Sequence, residues 1–312
     1  MIAFGPIPSR RLGLSLGINN IFSHKVCSYN CVYCQVGTTR NKAIQPIDFY
    51  SPDFLVKKVA EHLKKLDDLH QPEYLTFVSN GEPTLDLNLG EEIRRLKKFG
   101  IPIAVITNAS LLFNRKIREN LMDADWVSVK VDTISKLAWR KINQPCIGLQ
   151  LQQILNGIEI FAEKYKGKLN TETMLVENYN DYSNQIKQTA LFIAELKPYT
   201  AYLSVPTRPP ALSGIKPVKE EQLTLAWEIF SNLGIKTEIL ADFEGSDTGY
   251  TGNAIDDILN ITAVHPMRED SMEALVIKEN TDMSVVNILI TQGLLKKTAF
   301  KGNNYYFRTY DY

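Results

Sequence analysis

Three cysteines, Cys27, Cys31 and Cys34, are separated by three and then two residues in the segment KVCSYNCVYCQ. Thiolate sulfur is the usual ligand of iron–sulfur clusters, and this spacing lets one compact loop wrap around three corners of a four-iron cluster. The fourth iron would then lack a protein ligand. The amino and carboxylate groups of a small molecule could take that position, as water takes the open position of a catalytic zinc site. A second arrangement uses the same side chains, since the three thiolates with His24 would close a structural zinc site. Cys146 follows Pro145, far from the other three, and reads as a small packed hydrophobe.

A loop carrying such ligands has to be held by a frame. The chain has 312 residues, 44% hydrophobic and 22% charged, which is globular composition with length for one large domain, or one large and one small. Runs rich in Val, Ile, Thr and aromatics predict strands at 74–78 (YLTFV), 102–107 (PIAVIT), 126–131 (WVSVKV), 171–176 (TETMLV), 201–205 (AYLSV) and 236–240 (KTEIL). An earlier strand at 13–21 is interrupted by Gly17 and the pair Asn19, Asn20. Helical spacing of apolar residues predicts helices at 53–66, 112–122, 149–165, 184–196 and 219–233. Alternating strands and helices imply an α/β fold whose parallel sheet curls as a partial barrel, with chemistry at the carboxyl ends of the strands.

Polar residues fall at those ends. The segment SNGEPTL, 79–85, follows the strand YLTFV; Gly81 permits close backbone approach, and Glu82 can accept a charge-assisted hydrogen bond from an ammonium. Thr107 and Asn108 end the next strand. Lys130 and Asp132 end the one after, on one face by the period-two rule, where they either reach a ligand or pair with each other or with solvent. Residues 174–176 and 205–207 end two later strands and could line the same pocket, or belong to the core. Arg10 and Arg11 could clamp a phosphate or carboxylate, although a solvated or paired surface is the plainer reading.

Two of these segments together are recognisable. CSYNCVYC, with Tyr33 before the last cysteine, and SNGEPT after a strand resemble the cluster loop and the glycine-rich, methionine-binding segment of the radical S-adenosylmethionine (SAM) superfamily. The resemblance implies a partial (β/α)6 barrel of radical SAM type and a [4Fe-4S] cluster on Cys27, Cys31 and Cys34. It implies SAM contacts from Tyr33, Asn80, Gly81, Glu82, Pro83, Thr107, Asn108, Lys130 and Asp132, and it assigns no catalytic side chain. The implied reaction is reductive cleavage of SAM to methionine and a 5′-deoxyadenosyl radical, which abstracts hydrogen from a tRNA base, a peptide or a small molecule. An external one-electron donor of flavodoxin or ferredoxin type is the implied partner. The alternative from another class is a non-catalytic zinc- or cluster-binding adaptor.

Further segments, GPIPSRRLG (5–13), SLGIN (15–19), NQP (143–145), ENYND (177–181) and RPP (208–210), resemble a narrower group, the radical SAM proteins grouped with wyosine-base synthetases of tRNA. The chain departs from that group in two respects. No segment could supply the flavin-binding domain of the eukaryotic tricyclic enzymes, and only Cys146 remains for the second cluster of the archaeal ones.

Residues 242–253 (DFEGSDTGYTGN) lack periodicity and read as a linker between a barrel, 1–241, and a small unit, 254–312. Helices expected at 254–259, 268–279 and 284–293, then strands at 297–300 and 305–308, make that unit winged-helix-like. It carries eight acidic residues against six basic ones, and the helix SVVNILITQG that would enter a groove has no Lys or Arg. Duplex DNA is therefore not an expected partner, while RNA stays open. Capping the barrel mouth or binding a partner is the expected role, and His265 in AVHPMRE reads as structural. A net charge of zero gives no whole-protein steering toward nucleic acid or anionic membrane. With no secretion signal and no long apolar run, the expected location is the cytoplasm, where thiols stay reduced.

Overall fold

The apolar runs become strands. In a computed structural model describing residues 2–21, 24–241 and 245–309, eight strands form one sheet in chain order. They are β1 (Ala3–Ser9), β2 (Gly13–Ile18), β3 (Tyr74–Phe77), β4 (Ile103–Thr107), β5 (Trp126–Lys130), β6 (Lys168–Met174), β7 (Thr200–Ser204) and β8 (Thr237–Leu240). β1 pairs antiparallel with β2, and every later neighbour is parallel. The crossovers carry α1 (Pro52–Leu63), α2 (Leu89–Leu96), α3 (Arg115–Leu121), α4 (Lys136–Ile142), α5 (Leu151–Lys164), α6 (Ser183–Glu195) and α7 (Glu220–Asn232). Helices on the parallel strands leave them buried on both faces, hence near-continuous apolar runs such as IAVIT. Local signals start the helices: Ser51 caps α1 by accepting from the Phe54 amide at 3.3 Å, with Pro52 in the first turn.

The sheet curls. Leu12, in the turn between β1 and β2, packs with Ala104, Trp126, Tyr202 and Leu240, so the first strands meet the last inside the fold. This is the expected partial barrel. β1 has no counterpart in the sequence reading because Gly5, Pro6 and Pro8 break its pattern. It is an edge strand, where proline is tolerated, and its register slips between Phe4 and Ile7. α2 and α4 were also not expected; each is too short, at 8 and 7 residues, to show a sustained helical period.

Beyond the barrel, residues 245–253 contain no helix or strand, and residues 242–244 of the expected linker lie outside the described ones. Next come α8 (Ala254–Val264), β9 (Met267–Arg268), α9 (Glu269–Lys278), α10 (Met283–Thr291), β10 (Leu295–Phe300) and β11 (Asn303–Arg308), with the strands ordered β9-β11-β10. The two-residue strand β9 adds to the expected ribbon. The apolar cluster of this unit includes Phe4 and Ile7 of β1, so its core continues into the barrel's edge. Among the described residues no helix is long and apolar enough to cross a membrane.

Candidate functional site

The cysteine loop is held by backbone contacts that do not involve sulfur. The amides of Asn30 and Val32 donate to the carbonyls of Asn143 and Ile142, both at 2.9 Å, just past and at the end of α4. The Cys146 amide donates to Ser28 at 2.8 Å. Trp139 on α4 packs edge-on against Tyr29 and donates its indole N–H to the Tyr29 hydroxyl at 3.0 Å. Each of the three sulfurs receives a side-chain N–H: from Asn108 to Cys27 at 3.5 Å, from Asn143 to Cys31 at 3.4 Å, and from the Lys25 ammonium to Cys34 at 3.1 Å; the backbone at Tyr29 and Val36 adds hydrogen bonds to Cys27 and Cys34. Such donors suit negative charge on sulfur. Burial pushes the Cys27 and Cys31 thiols up to about 11 and about 12. For Cys34 burial acts the same way, but Lys25 outweighs it and holds the thiol below its ordinary value.

The segment after β3 packs directly on this loop. A Cβ on Gly81 would lie 1.8 Å from the Val26 carbonyl oxygen, so only glycine lets the two loops touch, and the Glu82 amide donates to that oxygen at 3.1 Å. The close approach foreseen for Gly81 is therefore made to the cysteine loop. Glu82 is 1% exposed. Its Oε1 accepts from the Thr84 amide (3.1 Å), the Thr84 hydroxyl (2.6 Å) and the Thr107 hydroxyl (2.6 Å), and its Oε2 from the Asn108 amide (2.7 Å). Burial raises this carboxyl, and those four donors oppose the rise. Oε2, with one donor, keeps capacity for an ammonium.

Below this segment two further carboxyls are buried. Asn20 donates to Asp86 at 3.1 Å and to the Pro83 carbonyl at 3.2 Å, and accepts from Ser79 at 2.5 Å. Burial, then the charge of Asp86, pushes Glu92 on α2 up to about 9; burial likewise raises Asp86. A carboxyl raised in the folded state contributes stability below its unfolded pKa and loses it as pH climbs to the folded value. The fold should therefore weaken between about pH 4.3 and about 9. Glu92→Gln is expected to flatten that slope, measured as the denaturant midpoint of cluster-free protein at pH 5, 7 and 9. An unchanged slope would refute the assignment.

The barrel interior holds an ion-pair cluster. Glu172 on β6 accepts from Lys130 on β5 and from Ser204 on β7, both at 3.0 Å, and from Arg11 in the β1–β2 turn. Burial alone would raise Glu172, but Lys130 and Arg11 outweigh it and hold the carboxyl far below the usual carboxylate range. The ammonium of Lys130 also sits 5.0 Å from the centre of the Tyr33 ring.

These groups open on one cavity of about 300 Å³. All three cysteines line it, together with Tyr33, Gly81, Glu82, Thr107, Asn108 and Lys130. Met174 and the residues Val205, Pro206 and Thr207 line it too, as their strand-end positions suggested. Leu175 and Val176 of the run 174–176 are core instead, and three of the residues assigned to SAM do not line the cavity either. Asn80 and Pro83 are buried beneath the loop, and Asp132 lies behind Tyr33. Asp132 accepts from the Tyr33 hydroxyl, from Asn143 at 2.7 Å and from the Met174 amide at 2.9 Å. It fixes the cysteine loop to the barrel instead of facing the cavity.

Other lining residues were weighed differently or passed over in the sequence. Arg11 turns inward to Glu172. Gln35 accepts from Arg208 at 3.0 Å and donates to the Val264 carbonyl at 3.1 Å, tying the cysteine loop to α8. His265, read as structural, lines the cavity with Val264 and contacts Arg208 at 3.0 Å. The carboxyl-terminal unit thus supplies part of the wall. Among the described residues no three or more His, Cys, Asp and Glu side chains close around a point as ligands of a single metal ion would.

A curled, largely parallel sheet with a three-cysteine loop and a glycine–glutamate turn at its strand ends defines a class. The chain belongs to the radical SAM superfamily, whose family model matches residues 21–193. It is accordingly an enzyme of radical SAM type. It is similar to the UPF0026 protein MJ1312 of Methanocaldococcus jannaschii, 45% identical over 309 residues that cover 98% of this chain and 96% of that protein. Among solved structures it is similar in fold to TYW1 with a lysine-pyruvate adduct bound, at TM-score 0.55 and 16% identity, covering 71% of this chain and 75% of that one. It is also similar to Streptococcus suis SuiB bound to S-adenosylmethionine, at TM-score 0.51 and 13% identity, covering 72% and 49%.

Proposed function

We propose that Cys27, Cys31 and Cys34 hold a [4Fe-4S] cluster at which SAM is reductively cleaved, and that hydrogen is then abstracted from a substrate bound in the same cavity. When bound, cluster and SAM together supply the 5′-deoxyadenosyl radical. The protein's part is to hold and exclude. Asn108, Asn143 and Lys25 donate to the sulfurs; Glu82 Oε2 would accept the methionine ammonium; Thr84, Thr107 and the Asn108 amide fix that carboxylate. Lys130, paired with Glu172 beside Tyr33, stiffens the cavity wall that SAM would face. Val205–Thr207 and His265 bound the remaining space, which receives the substrate. The observation that carries this reading is the convergence of three N–H-donated thiols and the open oxygen of Glu82 on one cavity.

The test is anaerobic reconstitution with iron and sulfide, then SAM and dithionite. A brown protein that forms 5′-deoxyadenosine supports the reading; a colourless, zinc-loaded protein without cleavage removes it. Glu82→Gln keeps an Oε1 acceptor but loses the charge. It is expected to weaken SAM binding by about 1.5–3 kcal/mol, roughly ten- to a hundredfold in Kd, read by equilibrium dialysis on the reconstituted protein. Wild-type affinity in that variant would exclude Glu82 as the ammonium acceptor.

A further inference from the structure

The first carboxylate in the chain is Asp48, and there is none between Asp132 and Glu159. Those two acid-free stretches meet in the fold. The cysteine loop belongs to the first; α4 and the turn after it belong to the second, and they pack on each other through the bonds from Asn30, Val32 and Cys146 described above. Asn30 also donates to the Gln144 side chain at 2.8 Å, and Lys42 to the Gln144 carbonyl at 3.0 Å. The outward positions of α4 are Lys136, Leu137, Arg140 and Lys141, spaced as one helix face; the inward ones, Ala138, Trp139 and Ile142, are buried. Leu137 is 75% exposed, and Ile147, on the turn beside Cys146, is 96% exposed. None of these residues lines the cavity.

We infer that this face, basic around two exposed aliphatic side chains, docks a small acidic one-electron carrier protein and admits the electron from behind the cysteine loop. The inference rests on the proposed function, because only a reducible cluster needs the partner. Geometry favours a carrier over the substrate. The face is separated from the cavity by the cysteine loop itself, while Asn143, two residues past Lys141, donates to Cys31. Charge decides the rest: cations on two stretches whose own sequence carries no carboxylate attract an acidic partner and raise its association rate, and aliphatic residues among them suit a small, transient interface. One electron moves. The flavin hydroquinone of a flavodoxin becomes the semiquinone, and the cluster falls by one unit of positive charge.

The test uses the reconstituted full chain and chemically reduced flavodoxin in stopped flow. In Lys136→Glu/Arg140→Glu/Lys141→Glu, the second-order rate of flavodoxin oxidation is expected to fall about tenfold or more at low salt and to lose its dependence on ionic strength. Dithionite-driven 5′-deoxyadenosine formation should stay within about twofold of wild type. The neutral Lys136→Gln/Arg140→Gln/Lys141→Gln variant, which disturbs α4 less, should fall in between, and Ile147→Ser should slow flavodoxin oxidation without changing its salt dependence. Wild-type rates in the charge-reversed protein would overturn the proposal. So would loss of tRNA binding in these variants with flavodoxin oxidation intact, which would make the face an RNA surface. Absence of dithionite-driven cleavage in the wild type would instead strike the proposed function itself.

Discussion

Cys31→Ser, reconstituted beside the wild type, is expected to lose the visible absorption of the cluster and at least about a thousandfold in 5′-deoxyadenosine formation, a barrier change of roughly 4 kcal/mol. The same is expected of Cys27→Ser and Cys34→Ser, because a hydroxyl is a poor substitute for thiolate at iron. The loss should be one of chemistry, not of folding. The loop is fixed by backbone bonds from Asn30, Val32 and Cys146 and by the Trp139–Tyr29 contact, none of which uses sulfur. Far-ultraviolet circular dichroism should therefore match the wild type. Retained colour and cleavage in any one of the three variants would exclude that cysteine as a ligand.

The second large effect concerns stability. Glu172→Ala leaves Lys130 and Arg11 facing each other inside the barrel with their shared carboxylate gone. Truncating one partner of a buried pair costs about 3–5 kcal/mol, most of it the penalty on the charges left behind. The expected result is a correspondingly lower urea midpoint for cluster-free protein. Adding Lys130→Met should recover part of the loss, and a double-mutant cycle measures how much. In the wild type the depressed Glu172 carboxyl contributes fully above its unfolded pKa, and this contribution disappears only as pH falls through the lower folded value. Acid unfolding in Glu172→Ala should accordingly lack that component. Two independent cations with no coupling would contradict the cluster as drawn.

What the sequence disclosed follows the range of the interactions. The cysteine spacing and the SNGEPT turn are local, so the three-cysteine loop and Glu82 stood out as candidates without a fold. The regular strands were readable because parallel strands covered on both sides are apolar throughout. Asp132 illustrates the limit. The period-two rule put it on the face of Lys130, but β5 ends at Lys130, and past the strand end the side chain turns to Tyr33, Asn143 and the Met174 amide. Arg11 illustrates another. Its partner Glu172 stands 161 positions away, and only closure of the sheet brings them together. β1 was hidden by prolines that an edge strand accommodates. The share of the carboxyl-terminal unit in the cavity, through Val264 and His265, depends on packing against β1 and Gln35, contacts that leave no local pattern.

The most direct measurement is the electron paramagnetic resonance spectrum of the dithionite-reduced, reconstituted protein, recorded with and without SAM. If three thiolates leave one iron for the amino acid end of SAM, the signal of the reduced cluster must shift when SAM is added and stay unshifted with 5′-deoxyadenosine alone. A spectrum that ignores saturating SAM, or a protein that carries zinc and gives no signal, would contradict the account.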